Sequence, residues 1–234
     1  MQQILFIVLA LAIAIILHEL AHGVVAYWLG DTTAKQAGRL TLNPIKHIDK
    51  TGSIILPLVL VLGQLLTVGR VAFIYGWARP VPVNPAYLRL GTYRNARRLM
   101  AIVAVAGPGM NFLLALLAGL AVHAAVALQS VSFLSFLACF IQINLLLGLF
   151  NLIPLPPMDG GRIAVGVLPI RLAIKLAQAE KIGIVSVLLV LFVLPLILQQ
   201  VGIQFNPFNE AVGLVLPWAE HIVLLVTGNN VGIN

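Results

Sequence analysis

Between residues 4 and 29 the only strongly polar side chains are His18, Glu19 and His22, set in an otherwise apolar run. A membrane-crossing helix needs roughly 20 such residues. Segments about 4–29, 99–127, 131–153 and 182–201 meet that requirement and predict spanning helices. Two further apolar segments are interrupted. Residues 53–74 contain Pro57, Gly63, Gln64 and Gly69, and residues 211–227 contain Pro217, Glu220 and His221. The expected fold is therefore an all-α polytopic membrane protein with about five to six membrane segments. Residues 36–46 read as a short extended or β segment ended by a turn at Asn43-Pro44. Residues 76–85 carry three prolines, Pro80, Pro82 and Pro85, which exclude regular helix and predict a stiff interfacial loop with Trp77 at the headgroup level. Residues 163–178 suit an interfacial helix.

Composition agrees with that pattern. Hydrophobic residues make up 61% of the 234, charged residues 9%, and mean hydropathy is +1.06, which excludes an ordinary soluble globule. The apolar stretches are nearly continuous, so a single membrane-embedded domain over 1–234 is expected, with its core at about 4–165 and further membrane segments over 166–234. The start of the chain lacks a basic region and a small-residue cleavage site, and reads as a retained helix rather than a signal peptide. Cys139 sits in an apolar run, as a packing residue would.

The net charge of +7 could point to nucleic acid. However, the basic residues lie in loops with no aromatic interleaving, so no nucleic-acid partner is expected and membrane orientation explains them. Lys35, Arg39, Lys46 and Lys50 follow the first helix. Arg79, Arg89, Arg94, Arg97 and Arg98 precede the 99–127 helix, and Arg162, Arg171, Lys175 and Lys181 precede 182–201. All three clusters fall on the cytoplasmic side of the cell (inner) membrane if 53–74 is re-entrant, and the first helix then carries its polar trio in the cytoplasmic half.

That trio carries the chemistry. His18 and His22 are four apart, so helical pitch puts both imidazoles on one face within reach of one metal ion. Glu19 is the residue type that takes a proton from water in zinc peptidases. A hydrolytic zinc site wants a third protein ligand and an open position. Asp159, in Asn151-Leu-Ile-Pro-Leu-Pro-Pro-Met-Asp159-Gly-Gly, is the best candidate, because the prolines stop the preceding helix and present it at the same depth. The plainer roles are helix capping for Asp159 and Asn151, an interhelical hydrogen bond for Asn144, close packing for Gly107, Gly109 and Asn111, and loop or packing roles for His47, His123 and His221.

With these motifs the chain resembles the site-2 protease family of intramembrane zinc metallopeptidases. His18 to His22 matches the family's first motif, Asn151 to Gly161 its second, and Ala106-Gly-Pro-Gly-Met-Asn111 a further signature. The resemblance implies one zinc ion per chain held by His18, His22 and Asp159, with Glu19 as general base. It also implies Asn151 as a group holding the substrate carbonyl or oxyanion, and an extended edge from Gly38 through Leu40 and Leu42 that pairs with substrate. Single-span membrane proteins are the implied substrates, and the lipid bilayer the surroundings. No PDZ-like or nucleotide-sensing domain is recognisable, as in compact prokaryotic members. The alternative is a membrane zinc carrier or sensor using the same ligands without proteolysis, which would not need Glu19.

Overall fold

The computed structural model describes residues 1–67, 69, 76–89, 93–178, 189, 194–200, 202 and 207–229. Three helices among them are long and apolar enough to cross a bilayer: α1 (Gln2–Trp28), α4 (Tyr93–Ala127) and α5 (Val131–Asn151). At about 1.5 Å per residue, α1 is about 40 Å long, more than the roughly 30 Å hydrocarbon core. Between α1 and α4 lie a single turn α2 (Thr33–Gln36), a π-helical turn (Lys50–Ile55) and α3 (Leu56–Thr67). After α5 come α6 (Asp159–Val167), a helix α7 over residues 170–178, α8 (Leu194–Gln200) and α9 (Pro207–Val226).

Helices α1, α4 and α5 pack on one another through small residues. The buried face of α1 is Ala10, Ala14, His18, His22 and Ala26, an unbroken four-residue repeat with Ala21 and Gly23 alongside. Where lipid is the alternative neighbour, apolar burial gains little, so association depends on close backbone approach and shared hydrogen bonds. Ala115, Ala118 and Ala125 of α4 and Leu137, Phe140, Ile141 and Leu145 of α5 complete this core. Ile4, Leu5 and Val8 of α1 are exposed, as suits a lipid-facing surface.

Several expectations need adjustment. Among the described residues there is no strand. Residues 37–43 form a turn and bends, and Pro44–His47 is a 3-10 turn that Asn43 caps by accepting from the Ile45 amide at 3.0 Å. The turn at Asn43-Pro44 is thus present, but the extended β segment before it is not; Gly38 sits at φ +61°, which breaks an extended run. Helix α4 begins six residues before the expected 99. The stretch expected as one helix over 163–178 is two, divided at Leu168-Pro169, because proline withholds a backbone donor. Of the interrupted segment 53–74, residues 53–67 are helical, and residues 68 and 70–74 lie outside the described ones. Most of the span expected at 182–201 also lies outside them.

Candidate metal centre

Helices α1, α4 and α6 meet at one point. Nε2 of His18 and Oδ2 of Asp159 are 3.1 Å apart, Nε2 of His22 and the same oxygen 3.2 Å, and the two Nε2 atoms 3.1 Å. All three side chains are buried. The outward nitrogens are held from α4. Nδ1 of His18 donates to Oδ1 of Asn111 at 2.5 Å, and Nδ1 of His22 donates to the Val103 carbonyl at 2.7 Å. The Val103 carbonyl lies in the turn beside Ala104, to which Pro108 cannot donate. Asn111 in turn donates to Oδ1 of Asn144 at 3.0 Å, and Asn144 to the Phe140 carbonyl at 2.8 Å. A chain of amides therefore runs from the first imidazole through α4 into α5.

This bonding decides which ring atom is on offer. With each Nδ1–H committed, both Nε2 ends face the Asp159 carboxylate. Burial alone would raise the Asp159 carboxyl, but the facing imidazoles outweigh it and hold it well below the ordinary carboxylate range. Three electron-rich atoms this close cohere only if positive charge sits among them, as imidazole protons or as a cation. Donors bonded tetrahedrally at about 2.0–2.1 Å to zinc stand about 3.3 Å apart. The observed edges match that spacing, so the residues fit the metal.

Glycine makes the approach possible. A Cβ on Gly107 of α4 would collide with Nε2 of His22 and lie 2.5 Å from Nε2 of His18. Gly160 and Gly161 do the same for α6, whose first turn tucks under the backbone of Leu152 to Pro156. Thus Asn151-to-Gly161 is a helix stop, a fold-back and a helix start, and Asp159 begins α6.

A cavity of about 250 Å³ opens beside the three donors, lined also by Glu19, Asn151, Met100 and Arg162 and by a wall at residues 77–83. Oε2 of Glu19 accepts from the Val81 amide at 2.8 Å. Asn151 gives one amide hydrogen to the Leu147 carbonyl at 3.0 Å, the capping role, while also facing the cavity. Trp77 turns inward to line it and packs against Gly52, rather than standing as a free surface anchor. Just beyond the wall, the Asn84 amide donates to buried Asp31, three residues after the end of α1, at 2.6 Å, and Thr33 donates to the same carboxylate.

Gly38, Leu40 and Leu42 are not among the cavity-lining residues. Leu40 is half-buried and packs against Gly23 of α1, and Leu42 points out, 63% exposed. His47 is buried and bonded to the Thr41 carbonyl, and His123 to that of Thr227, so both serve packing. Gly109 has nothing near its Cβ position, whereas Gly107 and Asn111 touch the centre directly. Asp31, Val81 and the full role of Asn111 went unread in the sequence. The three prolines of 76–85 were the available signal for the wall, since they force an extended backbone, but nothing local says what it faces.

Residues 120–195 match the model of peptidase family M50. The chain is 42% identical to a Bacillus subtilis protein named "Putative zinc metalloprotease YwhC", over 82% of this chain and 81% of that one. It is 34% identical to the Rip2 protein of Mycolicibacterium smegmatis, which bears the same description, over 62% of this chain and 50% of that protein. For Rip2 of Mycobacterium tuberculosis H37Rv the identity is 30%, covering 78% and 64%. No solved structure matches.

Proposed function

The chain belongs to peptidase family M50, the site-2 proteases, and is a zinc metalloprotease; on that premise we propose that it hydrolyses peptide bonds in or near the transmembrane segments of single-span membrane proteins. The observation that carries this reading is the meeting of three buried donors beside Glu19, on a helix long enough to cross a bilayer. His18, His22 and Asp159 would hold one zinc ion per chain. When bound, zinc supplies a Lewis acid that makes water acidic enough to lose a proton near neutral pH and polarises a carbonyl.

The chain's own groups do the rest. Glu19 takes a proton from the attacking water, whose oxygen bonds to the scissile carbonyl carbon. The C–N bond then breaks as Glu19 returns that proton to the departing amine. The Val81 amide holds the Glu19 carboxylate toward the cavity. Asn151, with one amide hydrogen on Leu147, keeps its second for the carbonyl oxygen as negative charge develops there. A transmembrane substrate helix must unwind before attack, because its peptide groups are internally bonded. The lining residues favour the 77–83 wall over 38–44 as the surface on which the unwound stretch lies. Glu19 beside the donors also favours hydrolysis over zinc carriage, which needs no base there.

The chain reconstituted in lipid with a tagged single-span protein is expected to release a fragment cut within or next to the span. Chelator should stop this and added zinc restore it; no cleavage of any single-span protein by zinc-loaded chain would overturn the reading.

Two features support a cytoplasmic-facing site in the inner membrane. The three basic clusters then share one side, and the described helical run from Lys50 through α3 reaches about 25 Å, short of the roughly 30 Å hydrocarbon core, as a re-entrant segment would. Cysteines placed at residues 84–87 are expected to react with impermeant reagent only from the cytoplasmic side, and labelling from outside would reverse the topology.

The outer partners of the histidines give a further prediction. Asn111→Leu removes the acceptor of His18 Nδ1–H and leaves Asn144 without its donor. It is expected to weaken zinc binding roughly 10–100-fold, read by competition with a chromogenic chelator, while Asn111→Asp, which restores an acceptor, recovers much of it. Equal zinc affinity in all three forms would remove the positioning role. Likewise Val81→Pro deletes the amide that holds Glu19, along with the buried side chain beside Gly23. It should lower kcat about tenfold, the scale of one charge-assisted hydrogen bond, with zinc content unchanged.

A further inference from the structure

A second cavity, about 410 Å³, lies on the other side of the 77–83 wall, and Pro80 lines both. Its lining holds Arg39, Lys46 and Arg79 and no acidic residue, with Ile45 and Ile48 at its edge. Arg39 is 7% exposed. Its guanidinium donates to the Arg79 carbonyl at 2.6 Å and the Pro80 carbonyl at 3.4 Å, yet its buried Nε has no partner. Lys46 reaches only the Gly38 carbonyl, at 3.2 Å. No ion pair joins any of the three to a carboxylate among the described residues. Burial, then the like charge of Arg79, push Arg39 below its usual range, while the one carboxylate opposing this, Glu19, is bound by Val81.

Three cations lining one cavity without a counter-ion repel one another, and the buried Arg39 Nε keeps a hydrogen without an acceptor. An oxyanion entering the cavity supplies the missing counter-charge. Arginine suits a phosphate group, since its planar donors match two oxygens at once. The rim decides where that phosphate comes from. Ile45 is 73% exposed and Ile48 45%. Exposed isoleucines on the rim of a cavity lined by three cations, in a segment that follows a spanning helix, suit acyl chains beside an anionic headgroup.

We propose that the Arg39–Lys46–Arg79 cavity is a binding site for the phosphate headgroup of an anionic membrane lipid. The headgroup would bridge the segment after α2 to the wall that carries Val81, so that one lipid holds together the two loops behind Glu19.

The test uses the full chain purified in zwitterionic detergent and titrated with short-chain phosphatidylglycerol, phosphatidylcholine or inorganic phosphate, with bound lipid counted by native mass spectrometry. One phosphatidylglycerol is expected per chain, in preference to phosphatidylcholine. Lys46→Gln with Arg79→Gln, both on exposed side chains, should weaken it roughly tenfold or more. Arg171→Gln with Lys175→Gln removes equal charge elsewhere and should leave it unchanged. Equal loss in both double variants would reduce the effect to general surface charge and overturn the site. Inorganic phosphate displacing the lipid at equal concentration would overturn the lipid assignment, as would a failure to prefer phosphatidylglycerol, or an acidic substrate segment binding there when lipid does not.

Discussion

Glu19→Gln is expected to lower kcat by about 10²–10⁴-fold, the usual contribution of a positioned general base, while leaving zinc content and substrate binding close to wild type. Glu19 is not one of the three converging donors, and its contact is to the Val81 amide at 2.8 Å. Glutamine keeps the size of the side chain and can still accept that amide through its carbonyl oxygen. What it loses is the ability to take a proton. Cleavage should therefore fall with the metal still present, as measured by metal analysis and single-turnover assay on one preparation. Turnover within a few-fold of wild type would mean the base is elsewhere. Zinc flux through the Gln form, with no substrate ever cut by wild type, would instead favour a carrier.

Much of this centre was legible because it rests on local spacing. The four-residue interval of His18 and His22 is one helical turn whatever packs around it, so the sequence alone puts both on one face. Asp159 was legible for a related reason. Prolines 154, 156 and 157 must end α5, and the glycines at 160 and 161 permit the return. Helices α1 and α5 were bounded within two residues, since a bilayer demands long unbroken apolar runs. Elements lacking that demand were misread: the extended segment before Asn43-Pro44 is turns and bends, and 163–178 is broken at Pro169. Alternating apolar residues such as Leu40 and Leu42 suggest a strand, but Leu40 is placed by a contact with Gly23, distant in sequence, that no periodicity reveals.

The interhelical polar contacts form an intermediate case. Asn144 reads as an interhelical hydrogen-bonding residue and is one, bonded to Asn111. That Asn111 then holds the His18 ring could not be read, because it depends on how α4 rotates against α1. The rotation is set by Gly107, where only a hydrogen atom fits between the helix and the two Nε2 atoms. One glycine thus couples a packing requirement to a chemical one. The same contact that lets α4 lie close also brings Asn111 and the Val103 carbonyl within reach of the outward nitrogens.

Asp159→Ala should have the other large effect, and it should fall on the metal first. His18 and His22 leave the same helix and share one side of the centre, so without Asp159 nothing from α6 closes it. The carboxylate is also the only negative charge among the three donors, and a buried divalent cation left with two neutral imidazoles is poorly compensated. Loss of an outer hydrogen-bond partner costs about 10–100-fold in metal affinity, and loss of a donor should exceed that. The purified variant is expected to carry no stoichiometric zinc at neutral pH, to show no cleavage, and to remain uncleaving at zinc concentrations that restore the chelated wild type. Asp159→Glu separates charge from reach: it keeps the carboxylate but lengthens the arm within a first turn already packed under Leu152 to Pro156. It should recover part of the zinc and little of the turnover, since the angle of the donors changes while their charge does not. Full zinc occupancy in the Ala form would mean that another group completes the site, and Asp159 would then be only the first residue of α6.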